Sequence, residues 1–204
     1  MSKKPIIVFE GIEGSGKSLH IKNVANYLNK KNKKFIKIRE PGGNKNSEKI
    51  RKLILDNKST FNKNTDLLLY LSARSENIEL IRKNKGKIII LIDRFVDSTV
   101  AYQHYGMGVN LLLIKQINNF LLKGIKVNFT FLNLVNDKNM RLRLNKRKKL
   151  NRYDKFKSEF YRKVQEGFLK ILKQNPKRYM KINSNLDITN NKLIILNKID
   201  SLIK

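Results

Sequence analysis

Cysteine is absent from this 204-residue chain, which removes disulfides, thiol catalysis and cysteine-ligated zinc from consideration. Long apolar runs are missing too. The longest, Ile88 to Ile92, falls far short of the roughly 20 residues that cross a bilayer. The chain enters a strand-like run at Ile6 without the apolar core and small-residue cleavage site of a secretory signal, so the cytoplasm is the expected location. Acidic residues are scarce: sixteen Asp plus Glu stand against forty-five Lys plus Arg, a formal charge of +29 with a pI near 10.3. Such a field attracts polyanions, which brings nucleic acid into view as a partner. The basic residues are spread over the whole length among many Asn and Ile, as in a compositional bias and unlike a recognition patch. Specific nucleic-acid binding is therefore not expected. Attraction of phosphorylated small molecules needs no further assumption.

What is present is a core-forming fraction, 40% hydrophobic, arranged as short β-branched runs alternating with longer amphipathic segments. Strands are expected at Ile6–Glu10, Phe35–Arg39, Ile88–Asp93, Val127–Asn133 and Tyr179–Ile182. Helices are expected at Lys17–Asn32, Asn46–Asn57, Thr65–Asn84, Leu111–Leu122, Asp137–Lys146 and Lys157–Gln174, with a last one ending near Leu202. Ile88–Asp93 has no in/out alternation, the mark of a strand buried on both faces, and is expected to be central. This alternation implies an α/β fold, a parallel sheet with helices on both faces and the ligand edge at the strand C-termini. No internal repeat and no linker divides the chain, so a single domain over 1–204 is expected.

Gly11-Ile12-Glu13-Gly14-Ser15-Gly16-Lys17-Ser18 matches the phosphate-binding pattern G-x-x-x-x-G-K-[ST], directly after a strand and opening a helix. A chance match somewhere in such a chain has odds on the order of one in a hundred, given ordinary glycine usage. The glycines let successive backbone N–H groups face one concavity, and the helix aims its positive end at the same point. Lys17 is placed to reach the outer phosphates of ATP, and Ser18 to offer a hydroxyl to Mg2+. Asp93, ending a strand, supplies the carboxylate for the metal side. A bare P-loop leaves kinases, GTPases and motor ATPases open.

Four further segments narrow the choice: Phe9-Glu10-Gly11-Ile12-Glu13-Gly14, Arg39-Glu40-Pro41-Gly42-Gly43, the helical pair Tyr70 and Arg74, and the block from Asp93-Arg94-Phe95 to Ala101-Tyr102-Gln103. Together they resemble the bacterial thymidylate kinases, from the N-terminus to about residue 155. The resemblance implies a three-layer P-loop NTPase fold with a five-stranded parallel sheet and a mobile basic lid at about 141–155. It implies transfer of a phosphoryl group from ATP to dTMP with Mg2+, and a homodimer. By resemblance, Glu13 approaches the acceptor 3′-hydroxyl, Tyr70 stacks on thymine and Arg74 donates to its O4. Arg94 binds the acceptor phosphate in a fork, a geometry lysine cannot offer. Thr99 and Gln103 approach the base edge, and Tyr102 crowds the sugar C2′. Arg39 belongs to the acceptor side, and Arg51 is as readily a solvated helix face as a phosphate ligand. The chain departs from the family pattern at Tyr70, usually Phe, whose hydroxyl needs a polar neighbour. It departs again at Phe95, usually Tyr, and at Asn151-Arg152-Tyr153-Asp154, where Asp-Arg-x-Glu is usual.

Residues 141–155 contain eight Lys or Arg, roughly twice the chain's average density. The P-loop carries no arginine, so the resemblance points to a lid cation over the transferring group: Arg147 or Arg152, with Arg143 the weaker candidate. Lid closure would also exclude water. No general base is expected, because a phosphate monoester with a second pKa of about 6 is largely dianionic at neutral pH. His20 is expected at the surface or partly packed, and His104 beside the acceptor pocket; neither is given a catalytic role.

Overall fold

The computed structural model describes residues 4–204; residues 1–3 of the expected domain lie outside the described residues. Five strands, β1 (Ile6–Glu10), β2 (Phe35–Arg39), β3 (Ile89–Asp93), β4 (Phe129–Leu134) and β5 (Tyr179–Asn183), form one parallel sheet in the order β2-β3-β1-β4-β5. The middle strand is β1, and β3 is interior beside it, one place off the expected centre. Both are apolar up to their last residues, Glu10 and Asp93, because each is covered on both faces. Odd positions of β1, Ile7 and Phe9, join a core with Val24 and Leu28 of α1 (Lys17–Lys30) and Ile195 and Ile199 of α8 (Ile188–Ile203). Even positions, Ile6 and Val8, pack with Ile78 and Ile81 of α3 (Lys63–Asn84) on the opposite face.

The chain's many asparagines serve as helix caps. Asn44 caps α2 (Lys45–Leu55), Asn62 caps α3, Asn110 caps α5 (Leu111–Leu122) and Asn136 caps α6 (Asp137–Asn145), each accepting first-turn N–H groups. By contrast α1 starts at Gly16 with no side-chain cap, so its first N–H groups are left to face a ligand. No element is expected over 96–106 from periodicity, yet the chain is helical there. A short α4 (Val96–Thr99) runs into a π-helical segment, Val100–Gly106. That wider winding displaces the 3.6-residue pattern, which is why the sequence does not announce it, and such segments concentrate at functional sites. Against it lies α7 (Ser158–Gln174) at very short range: a Cβ on Gly167 would meet Tyr105 at 2.6 Å. Among the described residues, no helix is long and apolar enough to cross a membrane.

Candidate active site

Pairing of Phe9 with Asp93 and of Arg39 with Asp93 brings the C-terminal ends of β1, β2 and β3 to one edge. A cleft of about 190 Å³ opens there. Gly11, Gly14 and Gly16 take φ values of 138°, 68° and 86°, which L side chains avoid. Gly11 is also enclosed, since a Cβ would lie 2.3 Å from the Asn133 carbonyl oxygen. Lys17 Nζ donates to the Gly11 carbonyl at 2.9 Å, to the Ile12 carbonyl at 2.8 Å and to Ser15 Oγ at 3.3 Å. Burial, followed by the charge of Arg94, lowers its pKa to about 7. Ser18 Oγ donates to Asp93 Oδ2 at 3.1 Å. A hydroxyl and a carboxylate oxygen side by side are hard donors of the kind Mg2+ selects, and Mg2+ takes few protein ligands beside a polyphosphate.

Arg94 stands at φ 65°, a left-handed position. Its Nη2 donates to Glu13 Oε1 at 2.9 Å, and its guanidinium lies 5.0 Å from the Tyr102 ring centroid. Tyr102 donates its hydroxyl to the other Glu13 oxygen. Burial disfavours the Arg94 charge, but Tyr102, Glu13 and Asp93 more than offset this and hold its pKa above the usual value. Arg51 Nη1 donates to the Pro41 carbonyl at 2.6 Å and lines the same cleft, so its guanidinium is turned inward. Arg39 sits at the rim, paired with Glu48 at 2.7 Å.

The same cleft is also lined by Tyr70, Arg74, Thr99 and Gln103. Arg74 is 2% exposed. It donates through Nε to Glu40 Oε2 (2.8 Å), through Nη1 to Asn118 Oδ1 (2.6 Å), and through Nη2 to the Phe95 carbonyl (3.0 Å) and Thr99 Oγ1 (2.9 Å). These contacts use four of the five guanidinium N–H groups, leaving one on Nη1 for a ligand. The Tyr70 hydroxyl finds its polar neighbour in the Tyr153 hydroxyl, and the two rings meet edge to face at 5.9 Å.

The basic segment folds as the end of α6, an exposed tip, and a 3-10 turn (Arg152–Lys155) closed by an Asn151–Asp154 capping box. Arg147 lines the cleft and pairs with Asp154 at 2.5 Å. Arg152 is not among the cleft residues: its guanidinium is held by Asp66 and by the Ile54 carbonyl. Arg143 donates to the Gly14 carbonyl at 2.9 Å and to the Ser184 carbonyl at 2.6 Å, bridging the P-loop to the loop after β5.

The histidines behave differently from each other. His20 is 3% exposed, not at the surface, because α1 packs it against the base of the P-loop. Burial and the charge of Arg143 lower its pKa. His104 has its Nδ1 2.8 Å from the Val109 carbonyl and ties off the π-helical segment outside the cleft.

Sequence reasoning passed over the acids around the site. Glu10, Glu40, Asp66, Asp97 and Asp154 are all buried in a chain with only sixteen acids. Glu10 accepts from Phe95 N at 2.8 Å and Ser98 Oγ at 2.5 Å, bracing the turn that presents Arg94. Burial, then the charge of Asp97, raises its pKa to about 7. Asp97 in turn accepts from Arg178 and from the Tyr179 hydroxyl at 2.7 Å. Four of the five lie inside the motif segments quoted above; Asp66 does not.

Comparison with known proteins agrees with this geometry. A family model described as thymidylate kinase matches residues 9–194. The thymidylate kinase of Sulfurihydrogenibium sp. (strain YO3AOP1) is 39% identical over 185 residues, 89% of this chain and 90% of that protein. That of Thermoanaerobacter sp. (strain X514) is 36% identical over 185 residues, with 89% and 90% covered. The crystal structure of thymidylate kinase from Ehrlichia chaffeensis superposes with a TM-score of 0.78 at 32% identity, covering 97% of this chain and 98% of that one. With a P-loop opening onto a cleft at the sheet's C-terminal edge, and similarity along nearly its whole length, this chain belongs to the thymidylate kinase family.

Proposed function

We propose that the protein catalyses ATP + dTMP → ADP + dTDP, with Mg2+ held on the side of Ser18 and Asp93. The observation that carries this reading is that one cleft is lined by Lys17 and Ser18 of the P-loop, by Arg94 and Arg51, and by Tyr70 and Arg74. An oxygen of the dTMP 5′-phosphate attacks the γ-phosphorus of ATP; the bond to the β,γ-bridging oxygen breaks and ADP leaves. The attacking oxygen is already anionic, so no side chain has to remove a proton. The chain's contribution is placement and charge. P-loop N–H groups and Lys17 cradle the donor phosphates. Arg94 and Arg51 hold the acceptor phosphate, Glu13 and Tyr102 bound the sugar, and Tyr70, Arg74, Thr99 and Gln103 take the base. Arg147 offers lid charge to the equatorial oxygens, with Arg152 a second source once it leaves Asp66. Bound Mg2+ supplies neutralisation of the developing phosphate charge.

We place the enzyme in the cytoplasm with its nucleotides, acting as a homodimer. The dimer is supported by α3 and α5, which carry the exposed Leu68, Leu112 and Phe120 (55%, 63% and 66%). The decisive test is a coupled ADP-release assay with ATP, Mg2+ and dTMP, dUMP, UMP, dCMP or AMP in turn. Turnover with dTMP far above the rest, lost in Lys17→Ala and Arg94→Ala, is expected. ADP release indifferent to every acceptor, or driven by oligonucleotides, would sink the reading.

A further inference from the structure

Asp66 lies one helical turn before Tyr70 and two before Arg74, so the three share one face of α3. It is 1% exposed, and a buried carboxylate costs free energy unless its oxygens are satisfied. Its three side-chain partners come from two places. Oδ1 accepts from Arg152 in the lid turn. Oδ2 accepts from the Tyr153 hydroxyl in the same turn, and from Gln103 Nε2 at 3.4 Å on the π-helical segment. Tyr153 is thereby fixed against the rings of Tyr70, at 5.9 Å, and Tyr102, at 6.0 Å. A lid side chain thus lines the cleft beside the residues assigned to the acceptor base and sugar.

We propose that Asp66 is a positioning residue that makes the lid turn part of the acceptor pocket. One carboxylate holds Tyr153 and Arg152 of the lid together with Gln103 of the body, so the wall around the acceptor base is complete only when the lid is docked. Three further contacts pin the same turn. Asn57 Nδ2 donates to the Leu150 carbonyl at 2.9 Å, Arg152 Nε reaches the Ile54 carbonyl, and the Tyr161 hydroxyl donates to the Tyr153 carbonyl. The docking surface of this turn is therefore the acceptor side of the cleft, whereas Arg143, earlier in the basic segment, reaches the P-loop. By linkage, an acceptor that packs on Tyr70 and Tyr153 must stabilise the docked lid as much as the docked lid strengthens acceptor binding. A carboxylate serving only as a structural staple would affect both substrates alike or neither. The proposal rests on the reading that this end of the cleft takes the acceptor.

The test uses the full chain as wild type, Tyr153→Phe, Asp66→Asn and the double variant, each checked by thermal melting. KM is measured for dTMP and for ATP, and trypsin cleavage at the exposed Lys146–Lys149 tip is timed with and without dTMP. Loss of a hydrogen bond to a buried charge should raise KM for dTMP about tenfold in each single variant, with KM for ATP held within about twofold. The double variant should be no worse than Asp66→Asn alone, because both changes remove one network. dTMP should protect the wild-type lid from trypsin and fail to protect Asp66→Asn. A folded Tyr153→Phe with unchanged KM for dTMP, or multiplicative effects in the double variant, overturns the proposal. If Asp66→Asn does not fold, Tyr153→Phe and Arg152→Gln decide the matter, since each cuts a link between the lid turn and Asp66 and leaves Asp66 in place. Failure of the kinase reading looks different: wild type would show neither dTMP-dependent turnover nor protection, and this proposal would fall with it.

Discussion

Ser18 Oγ donates to Asp93 Oδ2 at 3.1 Å, joining the first turn of α1 to the end of β3 across 75 residues. The contact exists because β1 and β3 are adjacent and parallel, with Phe9 opposite Asp93. In the function proposed above, these two oxygens hold Mg2+ beside the outer phosphates of ATP. Asp93→Asn keeps the shape and removes the charge. It should lower kcat on the order of a hundredfold and raise the Mg2+ concentration needed for half-maximal rate. A magnesium titration of initial rates checks this, and an unshifted midpoint would place the metal elsewhere. Chelation with EDTA should abolish wild-type turnover.

Lys17, ordinarily near 10.5, titrates at about 7 here because of burial and then the charge of Arg94. At pH 8 it is therefore largely neutral before nucleotide arrives. Phosphate oxygens beside it restore the charged form, so ATP binding should take up close to one proton at that pH. Calorimetry in buffers of different ionisation enthalpy reads the uptake directly. The uptake should vanish in Lys17→Met, and a buffer-independent heat in wild type would contradict it.

Glu10 is raised from 4.5 to about 7, by burial first and by Asp97 second. In the folded state it keeps a proton that the unfolded chain has already released. Its stabilising contribution is complete below about pH 4.5 and is lost as pH climbs through about 7. Thermal melting from pH 4.5 to 8 should show a downward slope in wild type that flattens by a few degrees in Glu10→Gln. Parallel slopes would mean that the carboxyl titrates normally.

Arg143 and Arg147, close together in the basic segment, are held in different ways. Arg143 is bonded to the Gly14 and Ser184 carbonyls, whereas Arg147 faces the cleft beside Asp154. Arg143→Ala should raise KM for ATP several-fold and leave KM for dTMP unchanged. Arg147→Ala should lower kcat by roughly a hundredfold with little change in either KM. Steady-state kinetics with each substrate varied will show the split, and the reverse pattern would move the lid cation to Arg143.

Much of this molecule can be read from local order. Alternation of β-branched runs with amphipathic segments predicts all five strands within a few residues, because strand burial leaves a local apolar signature. The P-loop is legible because Gly11, Gly14 and Gly16 occupy backbone conformations that other residues avoid. The segment 96–106 is not legible, since π-helical winding lacks the period that a sequence scan detects. His20 also misleads, because one polar residue on a helix does not reveal that the P-loop folds over it.

Asp66 marks the boundary between the two kinds of information. From sequence it is a polar residue near a helix start, where acids are common for dipole reasons alone. Only the tertiary structure brings Arg152, Tyr153 and Gln103 onto its two oxygens, from 37 to 87 residues away. Sequence by itself determined the chain's α/β class and the P-loop motif, because those depend on residue type at short spacing. Tertiary structure alone decided the order β2-β3-β1-β4-β5, the burial of five scarce acids around the cleft and the contacts of the turn at Arg152–Lys155 with Asp66. Those depend on which distant segments share a desolvated neighbourhood, and a buried charge leaves no mark in sequence until its partners are in place.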